Sequence, residues 1–243
     1  MGSPSPLDSS SSSAGSSTPS NGSAASGLSG ASGERSDGSA KRGPGNIEAV
    51  RAFPRAERRI AMYVGQSRTG KTHLALVHAA RETDGRPTLI VDSMGADNFS
   101  SDSPHRVATV SEAVGRVFGR GGHAIVTPWS DDEGDVLFEA AADLGHAHIV
   151  IDESSRWLSG RTGGGPLARL LRAASHRQLT VKMTTQHFSA DAPAFLFNCE
   201  AAFYIFRTGS FRARARLAEE FEEPDLPDLV KDLPDRVCVR FPR

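Results

Sequence analysis

This chain predicts an α/β fold: a mostly parallel sheet with helices on both faces, preceded by a disordered Ser/Gly-rich tail. Three observations carry that expectation. Short apolar runs alternate with helix-spaced segments from residue 60 onward, a glycine-containing loop stands between the first such run and the first helix, and the composition changes abruptly near residue 45.

The N-terminal stretch explains the tail. More than half of residues 1–40 are serine or glycine, and the only large apolar side chains there are Met1, Leu7 and Leu28. Such a segment buries too little apolar surface to offset backbone ordering, which costs roughly 1–2 kcal/mol per residue. Lys41-Arg42-Gly43-Pro44-Gly45 extends it as a linker. The expected division is therefore a low-complexity tail and linker over 1–45 and one folded domain over 46–243.

Within the domain each element has its own signal. Residues 60–64 (Ile-Ala-Met-Tyr-Val) form an apolar run that ends at Gly65, as a buried parallel strand does. Residues 72–81 have helical spacing through Leu74, Ala75, Val77 and His78. Strands are expected at 88–91, ending at Asp92, and at 123–127, closed by Pro128. Helical spacing through Val136, Leu137, Ala140 and Ala141 places a helix at 135–144, and Ile149-Val150-Ile151 is a strand running into Asp152-Glu153. A helix at 166–174, strands at 179–184 and 202–206, a helix at 213–221 and a strand at 237–241 complete the series. In such sheets ligands bind beyond the carboxyl ends of the strands.

Composition narrows the chemistry. The 243 residues carry a formal net charge of −1, so nucleic-acid contact would come from local patches. Two cysteines, Cys199 and Cys238, make neither a disulfide framework nor a four-cysteine zinc site, and a reducing, cytoplasmic setting is expected. The sequence has no long apolar run that would span a membrane and no secretory signal pattern. The eight histidines show no metal-ligand spacing; His146 and His148 flank a strand and are expected to be structural. Leu158-Ser159-Gly160 follows the acidic pair, the wrong order for a transporter-ATPase signature.

Gly65-Gln66-Ser67-Arg68-Thr69-Gly70-Lys71-Thr72 matches the P-loop pattern G-x-x-x-x-G-K-[ST] in full. Its glycines allow successive N–H groups to turn inward as an anion nest, and the following helix adds the positive end of its dipole. Lys71 would reach the β- and γ-phosphates, and the Thr72 hydroxyl would ligate Mg²⁺. On the acidic strand, Asp152 would hold the Mg²⁺ shell and Glu153 would activate the attacking water as general base. Thr184-Thr185-Gln186 brings an amide to the same sheet edge, where Gln186 could bond both the γ-phosphate and the water.

A P-loop, then Ile-Val-Ile-Asp-Glu, then a strand ending Thr-Thr-Gln: this order resembles the FtsK–HerA class of P-loop motor ATPases. The stretch 165–180, with Arg169, Arg172 and Arg177, resembles the arginine-bearing helix and "RH-x-G"-like turn of that class, with Gln178 where glycine is common. Residues 201–207 (Ala-Ala-Phe-Tyr-Ile-Phe-Arg) resemble the strand that follows. The resemblance covers most of residues 59–243. It implies a RecA/ASCE-like P-loop NTPase fold, ATP and Mg²⁺ as cofactors, and a homo-oligomeric ring, expected to be a hexamer. It also implies an arginine from a neighbouring subunit, with Arg172 the first choice, Arg169 and Arg177 next, and Arg207 a further candidate. The minimal, span-free domain is most similar to the genome-packaging ATPases of viruses with internal membranes, with Zot-like relatives second.

The function this implies is ATP hydrolysis driving translocation of double-stranded DNA, with a capsid or membrane protein as a possible further partner. The alternatives are a Zot-like or conjugation-type assembly ATPase and a slow nucleotide-switch adaptor. Candidate DNA contacts are the glycine-rich loop 160–165 and the cluster Arg207, Arg212, Arg214 and Arg216, which Glu219, Glu220, Glu222 and Glu223 balance. Replacing Lys71 by alanine is expected to weaken ATP binding roughly ten- to a hundredfold, the value of a lost charge-assisted hydrogen bond. A calorimetric titration measures this, and unchanged affinity would remove the P-loop assignment.

Overall fold

Alternation along each strand decides which side chains meet which helices. Ile60, Met62 and Val64 of β2 (Ile60–Val64) join one apolar cluster, while Ala61 and Tyr63 join another on the opposite face. The same division holds in β5 (His148–Asp152), where Ile149 and Ile151 face one way and Val150 the other. A sheet buried on both sides by this pattern needs a helical layer on each face. In this computed structural model the described residues are 59–82, 85–95, 99, 103–158, 165–186, 196, 199 and 201–241, with the backbone of 49–50. The serine-rich segment 1–45 and most of the glycine-rich loop, 160–164, lie outside them.

The remaining strands are β1 (Ala49–Val50), β3 (Thr88–Asp92), β4 (His123–Val126), β6 (Thr180–Thr185), β7 (Ala202–Phe206) and β8 (Cys238–Phe241). Their order in one sheet is β1-β8-β7-β2-β6-β5-β3-β4. The run from β7 to β4 is parallel, and β8 and β1 add an antiparallel flank. β6 lies between β2 and β5, pairing Val64 with Thr185 on one side and Ile151 with Met183 on the other. The mostly parallel, doubly covered α/β sheet expected from the sequence is therefore the observed architecture.

Helix α1 (Lys71–Arg81) covers one face, burying Leu74, Ala75, His78 and Ala79. The other face takes α2 (Val110–Val114), α3 (Asp131–Leu144), α5 (Pro166–Ala173), α6 (Phe211–Phe221) and α7 (Leu226–Lys231), whose large buried apolar residues enter the larger cluster. A one-turn helix, α4 (Ser155–Leu158), follows the acidic strand, and a π-helical stretch, Gly115–Gly119, continues α2.

Several boundaries differ from the sequence expectation for identifiable reasons. α3 begins at Asp131 rather than 135, because Ser130 caps it by accepting from the Glu133 N–H while the Glu133 carboxylate accepts from the Trp129 N–H. α6 begins at Phe211 rather than 213, capped by Ser210 on the Ala213 N–H. Apolar spacing that tracks the core does not register these largely exposed first turns, in which even Phe211 faces outward. The helices α2 and α7 are too short to establish a period, and neither was expected. β6 runs one residue further than expected, through Thr185, and α1 starts one residue earlier, at Lys71.

The α1 face is the more polar one. Tyr63 and His78 share a 2.6 Å hydrogen bond between the phenol oxygen and Nδ1, and the Tyr63 ring stacks on Tyr204 at 4.9 Å. In mid-β6, Lys182 is fully buried and pairs with Glu82, the residue that caps the end of α1, at 2.9 Å. Burial pushes the Lys182 ammonium below its ordinary pKa, and Glu82 opposes that shift. Glu82→Leu alone is expected to cost about 3–5 kcal/mol in urea unfolding, because it strips a carboxylate from a buried cation. Adding Lys182→Met should recover most of that loss; a double variant as unstable as the single would show the pair is not the source.

Candidate active site

Close backbone approach shapes the loop after β2. Gly65 has φ 153°, and a Cβ there would sit 2.7 Å from the Cβ of Phe206. Its N–H donates to the Thr185 carbonyl at 3.2 Å, and the Gln66 N–H donates to the Arg207 carbonyl at 3.1 Å. The loop is thus pinned to both neighbouring strands. Within it, the Thr69 hydroxyl and the Lys71 ammonium both donate to the Gln66 carbonyl at 2.8 Å. Gly70, in the left-handed region at φ 99°, begins α1 with no side-chain cap and no acid in the first turn. The helix therefore offers its first N–H groups and dipole to an anion.

The acids come from β5. Asp152 is buried, and its Oδ1 accepts from two hydroxyls, Thr72 of α1 and Thr184 of β6, each at 2.7 Å. Glu153 adopts a left-handed backbone at φ 52°, and its N–H donates to the Thr184 hydroxyl at 2.9 Å. That turn brings its carboxylate to the end of β6. There it accepts from the Gln186 N–H at 3.2 Å, the Thr185 hydroxyl at 3.3 Å and the Ser155 hydroxyl at 2.7 Å. The Gln186 side-chain oxygen in turn accepts from the Ser67 hydroxyl of the loop at 3.0 Å. Burial pushes the Lys71 ammonium down in pKa, while Glu153 and Asp152 oppose that shift.

Ser67, Lys71, Thr72, Asp152, Glu153 and Gln186 line one cleft of about 510 Å³ at the carboxyl edge of the sheet, together with Arg68 and Gly70. Gly65, Gln66 and Thr69 shape the loop beneath without lining it. The Thr72 hydroxyl and Asp152 carboxylate stand together as hard oxygen donors. This suits Mg²⁺, which takes one or two protein ligands and completes its shell with phosphate and water oxygens.

The three arginines of the α5 region do not reach this cleft within the chain. Arg169 pairs with Asp143 at 2.6 Å on the exposed surface. Arg172 is also exposed; its charge lowers the Cys199 thiol pKa, against a larger upward push from burial. Arg177 lies in the turn before β6, at the opposite, amino-terminal edge, where its carbonyl accepts from the His146 N–H at 2.7 Å. In that turn Gln178 occupies the left-handed region at φ 53°, a conformation that glycine adopts with less strain. Its side chain compensates by bonding His146 Nδ1 at 3.0 Å. His148 has a structural partner too, the Thr180 hydroxyl at 2.7 Å.

Four residues that line the cleft, His73, Met94, Thr184 and Arg236, were not among the site residues expected from the sequence, although Thr184 stands in the strand-end Thr-Thr-Gln series. His73 was open to inspection as the residue after the P-loop. Met94 and Arg236 come from turns after β3 and before β8, and no local pattern marks them.

No protein-family model matches the chain, and no curated protein matches it in sequence. Solved structures do. The genome packaging NTPase B204 of Sulfolobus turreted icosahedral virus 2 in complex with AMP is similar at TM-score 0.59 and 17% identity, over 75% of this chain and 92% of that one. The same protein with sulfate gives 0.58 at 18% identity, over 75% and 90% of the two chains. With ATP-gammaS it gives 0.55 at 17% identity, over 75% and 96%. The shared property is the fold, which agrees with the resemblance read from the motifs. Thr72→Val removes both a metal-directed hydroxyl and one of the two donors to Asp152, and is expected to weaken ATP binding about tenfold more in the presence of Mg²⁺ than in its absence. Titrations with and without EDTA check this; equal loss in both would take Thr72 out of the metal shell.

Proposed function

We propose that this chain is an Mg²⁺-dependent ATPase that translocates double-stranded DNA, working as a homo-oligomeric ring, with a hexamer as the expected form, in viral genome packaging. The observation that carries the proposal is the bond series Ser67–Gln186–Glu153, which joins the glycine loop, the glutamine strand and the second acid across one cleft. A protein that only binds nucleotide needs no such connection. The B204 structures support the reading by fold and by their description as a genome packaging NTPase.

In this mechanism Lys71 and the first N–H groups of α1 hold the phosphates. Thr72 and Asp152 would hold Mg²⁺, which supplies charge neutralisation at the phosphate oxygens. Glu153 takes the proton from the attacking water. Three donors now occupy its carboxylate, so the base acts once Gln186 and its neighbours shift those bonds. Gln186 is placed to make that shift answer to the terminal phosphate, because its amide and its N–H serve the loop and the base at once. Arg172 remains the first choice for the arginine supplied to a neighbour, worth roughly 10³–10⁵ in rate where such fingers have been dissected. Arg169 and Arg177 follow. Arg169 would first leave an exposed ion pair, which is a weak restraint.

For DNA, sequence-independent phosphate contacts are proposed from the loop 160–165 and from Arg212. The other members of the basic cluster have intrachain partners. Arg207 pairs with Asp235 at 2.7 Å, Arg214 donates to the carbonyls of Thr208 and Gly209, and Arg216 pairs with Glu219 and Glu220. Among the described residues no helix is long and apolar enough to cross a membrane. Within the proposal, residues 1–45 act as the tail, residues 46–243 act as the motor domain in the host cytoplasm, and any membrane contact comes from a partner protein.

Steady-state ATP hydrolysis with and without long double-stranded DNA, at low and moderate salt, tests the proposal. DNA stimulation that falls with salt and disappears in Glu153→Gln, with ATP still bound, is the expected result. Gln186→Ala should lower kcat roughly 10²–10³-fold, the scale of losing one positioned transition-state donor. Hydrolysis indifferent to DNA would shift the assignment to an assembly ATPase, and absence of turnover to a nucleotide switch.

A further inference from the structure

The cleft has two ends, and the residues assigned so far account for one. β6 and β5, which deliver Gln186, Asp152 and Glu153, lie on one side of β2, whereas β7 and β8 lie on the other. A triphosphate whose terminal group met the acids would run back along the glycine loop and direct its remaining portion toward β7 and β8. Arg236 forms the wall there, in the turn that leads into β8.

That turn is fastened to the loop at two points. The Arg236 N–H donates to the Thr69 carbonyl at 3.0 Å. Next to it, Asp235 pairs with Arg207, whose carbonyl holds the Gln66 N–H. Packing is tight as well, since a Cβ on Gly70 would lie 3.3 Å from Arg236 Cγ. Arg236 keeps a left-handed backbone at φ 64°, a conformation a non-glycine residue holds only when its surroundings over-determine it. Its side chain is nonetheless exposed along the cleft, so the anchored backbone carries a planar cation free to meet a ligand.

Resting on the reading of this cleft as a nucleotide site, we infer that Arg236 is a nucleoside-binding residue whose guanidinium stacks on the base of the bound triphosphate. A guanidinium plane stacks on any aromatic face, while an ammonium does not offer that plane. All bases present such a face, so the substrate class is nucleoside triphosphates with little discrimination among bases. The phosphates remain the business of Lys71 and the α1 N-terminus.

Calorimetric titration of the full chain with ATP, GTP and inorganic tripolyphosphate, each with Mg²⁺, tests this in Arg236→Asn and Arg236→Lys. Asparagine tolerates the left-handed backbone, which protects the turn in the first variant. Affinity for ATP and GTP should fall about tenfold in both variants, while that for tripolyphosphate changes less than about twofold. Unchanged ATP affinity overturns the inference. So does an equal loss for tripolyphosphate or full rescue by lysine, because either means that Arg236 serves the phosphates. Failure of the underlying reading has a separate signature, in which Lys71→Ala leaves ATP and tripolyphosphate binding intact; the role of Arg236 would then fall with it.

Discussion

Asp152 Oδ1 accepts a hydroxyl from α1 and another from β6, and most of the site depends on that double acceptance. A buried carboxylate must find donors or lose its charge. Here the donors belong to the helix after the glycine loop and to the strand that ends in Gln186. Satisfying one acid therefore fixes three elements in register. Thr184 is central to this, because the hydroxyl it offers Asp152 also accepts the Glu153 N–H.

Placing β6 between β2 and β5 makes this possible. Were β2 and β5 direct neighbours, the amide of Gln186 would have no place between the loop and the second acid. With β6 inserted, the left-handed turn at Glu153 brings its carboxylate onto the Gln186 N–H, and the Gln186 side chain meets Ser67. The two faces of the sheet share the task unequally. The larger apolar cluster supplies cohesion, whereas the α1 face carries buried polar pairs such as Tyr63–His78 and Lys182–Glu82. The second pair ties the far end of α1 to the strand that ends in Gln186.

Much of the fold was legible because strands buried on both faces are continuous apolar runs and their ends carry recognisable punctuation. Ile60–Val64 before Gly65 and Ile149–Ile151 before Asp152 are of this kind. The short helices α2 and α7, and the largely exposed first turns of α3 and α6, were not, because apolar periodicity needs several turns and does not see a capping serine. The arginines show a different limit. Arg169, Arg172 and Arg177 fit a pattern in sequence, yet they lie away from the cleft within one chain, so a part for them requires a neighbour.

Contiguous residues alone specify the chemical groups available: a glycine loop of P-loop pattern, two adjacent acids and a strand-end amide. Tertiary structure alone decided which of their atoms meet. It placed Thr184 beside Asp152 and set Arg236 against Gly70, residues separated by long stretches of chain. The reason is that strand order, not sequence distance, sets these separations, and strand order is chosen by packing the whole sheet between its helices.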